Sequence, residues 1–237
     1  MPRSSSLSDR EVRTVLGSFT HDLRNPLSAI LSNLDFASRM AVQDNLDPDL
    51  TEALTDSVAA CDLFRRILAN LDVIAAEGET THRQNTAVGP LVDEVVRRCA
   101  AQAEQTGVSV SIIGGDEATK VPLDALSFAL GVENLIANSL VHAPNGSVVT
   151  VTVERTDQEL RVHVEDRGPA IPTELQDLAV SPEGQTAGGR KPGSRYARGA
   201  SLLAAQAIAN LCGGTLQLGA GNEGSRLTLA LPVASGD

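Results

Sequence analysis

Aromatic residues are almost missing from this chain, which has four Phe, one Tyr and no Trp in 237 residues. Cysteine is sparse as well. Cys61, Cys99 and Cys212 stand far apart, with no CxxC pair and no His at metal-ligand spacing. That excludes a disulfide framework and leaves three small apolar side chains suited to a reducing compartment. Positive charge is short throughout. The net charge is −11, with 7 Lys and Arg against 13 Asp and Glu in residues 1–80, and 12 against 17 in the remainder. A chain acidic from end to end has no basic face for sequence-blind binding of nucleic acid, so no nucleic-acid partner is expected. Long apolar runs are lacking too. The first residues, MPRSSSLSDREVR, contain no apolar h-region, so no signal peptide is expected. The uncharged run from Gly199 to Asn222 is broken by Ser201, Gln206, Asn210, Gly213, Gly214 and Gln217. It suits a buried helix, a turn and a strand rather than a membrane span of about 20 apolar residues. These absences point to a soluble, cytoplasmic protein of one or two domains.

What is present divides in two. Residues 8–77 read as helix almost throughout. Val12, Leu16, Phe19, Leu23, Ile30, Leu34 and Ala37 recur at steps near three and four, with Pro26 or Leu27 filling the gap. After the turn-rich AVQDNLDPDL, the pattern resumes at Leu50, Leu54, Val58, Cys61, Phe64, Leu68, Leu71 and Ile74. Two long helices with narrow apolar seams make an antiparallel hairpin. So slim a core is completed by a second hairpin, which predicts a four-helix bundle in a homodimer. EGETTHRQNT, residues 77–86, is polar and reads as a linker.

Beyond it the pattern is mixed. Helices are expected over Pro90–Gln105, Leu123–Val141 and Ala200–Leu211. Strands are expected over Val108–Ile113, Ser147–Arg155, Glu159–Glu165, Thr215–Leu218 and Arg226–Leu231. Several strands follow one another directly, so an α+β sandwich is expected rather than a doubly wound sheet. A stretch rich in Gly, Pro and Ser, from Pro169 to Arg198, reads as a functional or disordered loop.

Four strings carry candidate chemistry. In FTHDLRNPL, His21 lies about 200° around the helix from both Phe19 and Leu23. If those two face the seam, His21 faces solvent. Asn25 shares its face four residues on, and Asp22 is near enough to orient the ring and take up its proton. Pro26 removes the backbone bond to the Asp22 carbonyl and permits a bend. Taken alone, the same His is an ordinary surface histidine. In ENLIANSLVHAP, Asn134 and Asn138 share one face of an otherwise apolar helix. Their amides suit either core hydrogen bonding or a cleft holding hydrated Mg²⁺ and phosphate. In VEDRGPAIP, Asp166 ends a strand and Gly168 lets backbone approach closely. That is either a common turn or a carboxylate for an exocyclic amine. Finally, ARGASL opens the last helix, preceded by Arg190, Lys191, Arg195 and Arg198, a basic cluster in an acidic chain. Those cations serve either to solubilise a loop or to hold a triphosphate.

In order and spacing, these strings resemble the catalytic core of sensor histidine kinases over nearly the whole chain. The first resembles the H-box. The resemblance implies that His21 is the phosphoacceptor, Asp22 its activating neighbour, and Asn25 the residue associated with phosphatase activity. The second, with its run-up from Asp124, resembles the N-box. It makes Asn138 the Mg²⁺ ligand and Asn134 its companion. Val141 stands where many relatives have Lys, and His142 beside it would meet phosphate. The third resembles the G1 box, with Asp166 reading adenine, Gly168 beside it, and Ala170 in place of a second glycine. The fourth aligns with the G2 box but keeps only Gly199 of three glycines, with Ala197 and Ser201 at the other positions. Arg198 and its basic neighbours would compensate by charge. No Phe-containing F-box occurs in the lid. Phe19, Phe36, Phe64 and Phe128 all lie elsewhere and only Tyr196 falls there, so aromatic scarcity and the missing box are one observation.

The resemblance implies a dimerisation and phosphotransfer domain at 1–80 and a Bergerat-type ATP-binding domain at 86–237. It further implies ATP and Mg²⁺ as cofactors and a response regulator receiver domain as partner. No sensor fits in this length, so the input would come from elsewhere in a longer protein or from a separate sensor or regulatory protein. The altered G2 box motivates an alternative, a histidine phosphotransfer or scaffold protein that binds nucleotide poorly. A non-kinase ATPase of the same superfamily leaves the hairpin unexplained.

Overall fold

The computed structural model describes residues 9–44, 46–76, 82–115, 120–184 and 200–233. The chain forms two compact units, Met1–Glu77 and Gly78–Asp237.

The first unit is a helical hairpin of α1 (Asp9–Gln43) and α2 (Pro48–Ala75). Its turn is built by Asp47, whose carboxylate accepts the Asp49 N–H at 2.9 Å, and by Pro48, placed where a missing N–H costs nothing. Most of the apolar stripe read from the sequence of α1 is not turned toward α2. Val12, Phe19, Leu23 and Ile30 are exposed, Phe19 at 62%. The face toward α2 runs instead through Thr20, Leu27 and Ala41, which are buried, and through Leu31, Leu34 and Ser38, which are half-buried. Thr20 identifies this face because its hydroxyl meets Asp72 of α2. The helix therefore carries two apolar stripes that converge near Leu34, and periodicity alone does not say which is covered. On α2, Leu68 is buried while Leu50 and Phe64 are exposed.

The second unit is an α+β sandwich, as expected. Strands β1 (Gln84–Ala87) and β3 (Lys120–Leu123) pair antiparallel as a small separate sheet. The main sheet takes β2 (Ser109–Gly114), β4 (Val148–Arg155), β5 (Glu159–Asp166), β6 (Thr215–Ala220) and β7 (Ser225–Pro232) in the order β2-β4-β5-β7-β6. β2 runs parallel to β4 and every other pair is antiparallel. The helices are α3 (Val88–Arg98), α4 (Ala100–Thr106), α5 (Ala125–His142), α6 (Thr173–Ala179) and α7 (Ser201–Leu211). At the centre, α5 packs against β4, β5 and β7 and is flanked by α3, α4 and α7.

The inward phase of each strand is apolar at alternate residues. Val149, Val151 and Val153 on β4 are buried, as are Leu160, Val162 and Val164 on β5 and Leu227, Leu229 and Leu231 on β7. Two half-buried neighbours on the opposite face, Glu165 and Arg226, pair at 2.8 Å. Cys99 and Cys212 are buried and all three described cysteines are free. Burial pushes the Cys212 thiol up, against the opposing influence of Arg83, and Asp124 reinforces the rise.

Four expectations change. The helix expected over Pro90–Gln105 divides at Cys99, where no Gly or Pro signals a break. The linker read over 77–86 already contains β1, because Gln84–Ala87 finds its partner in β3, a strand too short to show a pattern. The loop after Pro169 includes α6, a helix of only two turns. Residues 185–198 of that loop lie outside the described residues. The fourth is the inward face of α1, set by Thr20 rather than by Phe19 and Leu23. Among the described residues, no helix is long and apolar enough to cross a membrane.

Phe128 of α5 is fully buried against this core. Phe128→Ala is expected to destabilise the second unit by about 3–5 kcal/mol. Urea denaturation followed by far-UV circular dichroism checks this, and a shift near zero would place the core elsewhere.

Candidate functional site

On the hairpin, His21 and Asp22 are well exposed, with side chains 72% and 73% accessible. His21 Nδ1 lies 3.5 Å from Asp22 Oδ1, at the outer edge of hydrogen-bonding range. The carboxylate therefore addresses Nδ1 and leaves Nε2 pointing away from it. Asn25 is exposed and one helical turn on, on the same face as His21. The exposure of His21 holds although Phe19 and Leu23 do not face α2, because the inward position next to it is Thr20.

In the second unit, the candidates collect where α5 ends beside the end of β5. Asn134 and Asn138 are buried among apolar neighbours on α5. A helix enclosed on all sides tolerates amides only where they have partners, and both make polar interactions. Helix α5 starts cleanly because Asp124 caps it, accepting the Ser127 N–H at 2.8 Å and the His82 N–H at 3.1 Å.

Asp166 is 4% exposed. Its place follows from strand alternation, since it occupies the next inward position after Leu160, Val162 and Val164. A carboxylate thus ends an apolar row and faces the helix layer. Its Oδ1 accepts the Gly168 N–H at 2.7 Å, which curls the chain back after the strand. Gly168 is required by close approach. A Cβ there would lie 2.3 Å from the His142 carbonyl oxygen and 2.8 Å from Asp166 Oδ1. This contact joins the end of α5 to the turn after β5, so His142 and Gly168 are brought together while His142 remains half-exposed. On the other side, a Cβ on Gly224 would meet the Asp166 carbonyl at 2.2 Å.

Sequence reasoning missed Ser225. It opens β7 directly across from Asp166, in the inward phase that continues through Leu227, Leu229 and Leu231. Its hydroxyl is buried and has no hydrogen-bond partner among the described residues. The signal was available: a hydroxyl heads an alternating apolar run, mirroring the carboxylate that ends the run on β5. A buried carboxylate, an unpaired buried hydroxyl and a turn pressed against backbone fit a flat polar group such as a purine edge. Among the described residues no group of three or more His, Cys, Asp or Glu is placed to hold a metal ion.

Arg198 and Gly199, with Arg190, Lys191, Arg195, Tyr196 and Ala197, lie outside the described residues. Ala200, the first residue after them, caps α7 with φ of +53° and no side-chain cap. An alanine in the left-handed region costs about 1 kcal/mol relative to glycine.

Residues 124–235 match the family described as histidine kinase-, DNA gyrase B-, and HSP90-like ATPase. The alginate biosynthesis sensor protein KinB of Pseudomonas aeruginosa is 25% identical over 222 residues, covering 90% of this chain and 36% of KinB. The probable sensor histidine kinase TcrY of Mycobacterium tuberculosis is 24% identical, over 95% of this chain and 47% of TcrY. The chain thus spans less than half the length of these relatives. Full-length ShkA, solved in complex with AMPPNP, superposes with a TM-score of 0.61 at 16% identity, covering 93% of this chain and 45% of ShkA. The catalytic domain of histidine kinase ThkA superposes at 0.57 and 20% identity, covering 64% of this chain and 95% of that domain. The superpositions show the fold that this chain shares with those two structures. The family match itself lies within the second unit.

The Gly168 contact yields a direct test. Gly168→Ala is expected to lower the stability of the second unit by about 1–3 kcal/mol through overpacking against His142. Thermal melts of the full chain measure it, and a variant as stable as the parent would show that the turn has room.

Proposed function

We propose that this chain, whose residues 124–235 match the ATPase family shared by histidine kinases, DNA gyrase B and HSP90, is the catalytic core of a two-component histidine kinase. The observation that carries the reading is an exposed imidazole beside a carboxylate, on a helical hairpin, in the same chain as that ATPase-type unit. In this reading residues 1–80 dimerise and carry the phosphoryl group, and residues 86–237 bind nucleotide. Asp166 and Ser225 would hold the adenine edge, with Gly168 keeping the turn tight beneath it. Asn138, supported by Asn134, would hold Mg²⁺, and His142 would meet phosphate. Arg198 and Gly199 complete the binding set.

ATP supplies the γ-phosphoryl group, and Mg²⁺ offsets charge on its phosphates. The protein supplies the nucleophile. His21 Nε2 forms the N–P bond as the bond from phosphorus to the ADP oxygen breaks. The ring becomes cationic as it reacts, and the Nδ1 proton passes to Asp22, the carboxylate that Nδ1 faces. On transfer of the phosphoryl group to an Asp of a receiver domain the N–P bond breaks as the new O–P bond forms, and return of the proton to Nδ1 regenerates the imidazole. Asn25, on the same exposed face as His21, would be the residue associated with phosphatase activity.

Incubation with γ-labelled ATP and Mg²⁺ tests the reading. Label on the parent chain, lost in His21→Ala and in Asn138→Ala, is the expected result. Absence of His21-dependent label, with acceptance of phosphate from a phosphorylated receiver, would establish a phosphotransfer or scaffold protein instead. The exposed stripe through Val12, Phe19, Leu23 and Ile30 supports a homodimer. Sedimentation at micromolar concentration is expected to show a dimer that Phe19→Glu with Leu23→Glu dissociates, and a monomeric parent would refute the pairing.

A further inference from the structure

The hairpin contains a polar contact that the chemistry above does not use. Thr20, immediately before His21, is 1% exposed, and its hydroxyl lies 2.9 Å from the Gly17 carbonyl and against Asp72 Oδ1 of α2. Arg24, one turn beyond Thr20, donates to the second oxygen of the same carboxylate. Asp72 thus grips α1 at two points four residues apart, and His21 lies between them in sequence.

Three facts give this grip a consequence. First, α1 carries two apolar stripes, so apolar packing leaves open which of them turns toward α2. A polar pairing at one position selects a single arrangement, since the alternative leaves a carboxylate and a guanidinium unpaired. Second, each residue advances about 100° around the helix. The direction of His21 is therefore set once Thr20 is fastened inward. Third, Pro26 lies inside the helix and removes the backbone bond to the Asp22 carbonyl. The turn carrying His21 and Asp22 is weakened on its C-terminal side, and Asp72 fastens it from the neighbouring helix.

We propose that Asp72 is a positioning residue that sets the rotation of α1 and so the direction in which His21 is presented. This inference rests on His21 being the phosphoacceptor. Asp72 acts through Thr20 and Arg24 and is not among the nucleotide-binding residues proposed above, so its loss should appear in the reaction rate and in the surroundings of the imidazole, not in nucleotide affinity.

The test uses the full chain with ¹³C-labelled histidine, whose His21 resonance is assigned by its loss in His21→Ala. Asp72→Ala is expected to slow His21 labelling at saturating ATP by about tenfold or more, with KM for ATP changed by less than about twofold. The His21 Cε1–H resonance is expected to shift or broaden, and Thr20→Val with Arg24→Gln to reproduce both effects. Asp72→Glu is expected to recover part of the rate. If Asp72→Ala loses helical content, Asp72→Asn, which keeps an acceptor for Thr20 but not the charge for Arg24, carries the same comparison. A rate within about twofold of the parent and an unmoved resonance would overturn the proposal. So would a loss of rate that only follows the fraction unfolded. If the parent takes no label from ATP, the functional reading fails, and the resonance alone decides whether Asp72 orients His21.

Discussion

A helix that is apolar on nearly every side has to be enclosed on nearly every side, and α5 is such a helix. The second unit is arranged around that demand. Three strands of the main sheet lie against it, α3 and α7 flank it, and the inward residues of those strands are branched and apolar. Within such an enclosure polar groups are expensive unless they are paired. Yet Asn134 and Asn138 sit on this helix, Asp166 ends the inward row of β5, and Ser225 begins the inward row of β7. All four follow the alternation or helical spacing of the core, so they are part of its construction rather than additions at the surface. A carboxylate and a hydroxyl stand side by side across β5 and β7, where those inward rows end and begin, and the proposed adenine contact rests on that pair.

The hairpin obeys a different constraint. Its helices are long and its inner face is narrow, occupied by Leu27, Ala41 and Leu68 with half-buried neighbours. A second apolar stripe stays uncovered in the single chain. Surplus apolar surface of this kind suits pairing with another hairpin, and it also makes helix rotation a variable that something must set. The contact of Asp72 with Thr20 and Arg24 answers that need at the turn carrying His21. Structure and chemistry meet there: the residue that faces in determines where its neighbour faces out.

Much of this was legible beforehand. The lengths of α1, α2, α5 and α7, the order of the strands along the chain, and the sandwich class follow from hydrophobic period and from turn residues such as Asp47 and Pro48. The strings containing His21, Asn138 and Asp166 were legible through their resemblance to histidine kinase boxes, since each residue type taken alone also has an ordinary structural reading. What escaped reading was short or silent. β3 has four residues, α6 has seven, and the division at Cys99 has no glycine or proline to announce it. Ser225 escaped for another reason: the hydroxyl heading an apolar run is visible in the sequence, but its place opposite Asp166 is known only from the strand pairing.

Local order belonged to the sequence. Period, capping and residue chemistry are properties of neighbours along the chain, and they determined the elements, the two-part division and the candidate groups. Facing belonged to the tertiary structure. Which stripe of α1 turns inward, which hydroxyl stands opposite Asp166, and which carboxylate fastens the turn of His21 depend on residues distant along the chain. Thr20 and Asp72 are 52 positions apart. No periodicity within either helix specifies that they meet, because a helix with two apolar stripes offers either of them to its neighbour.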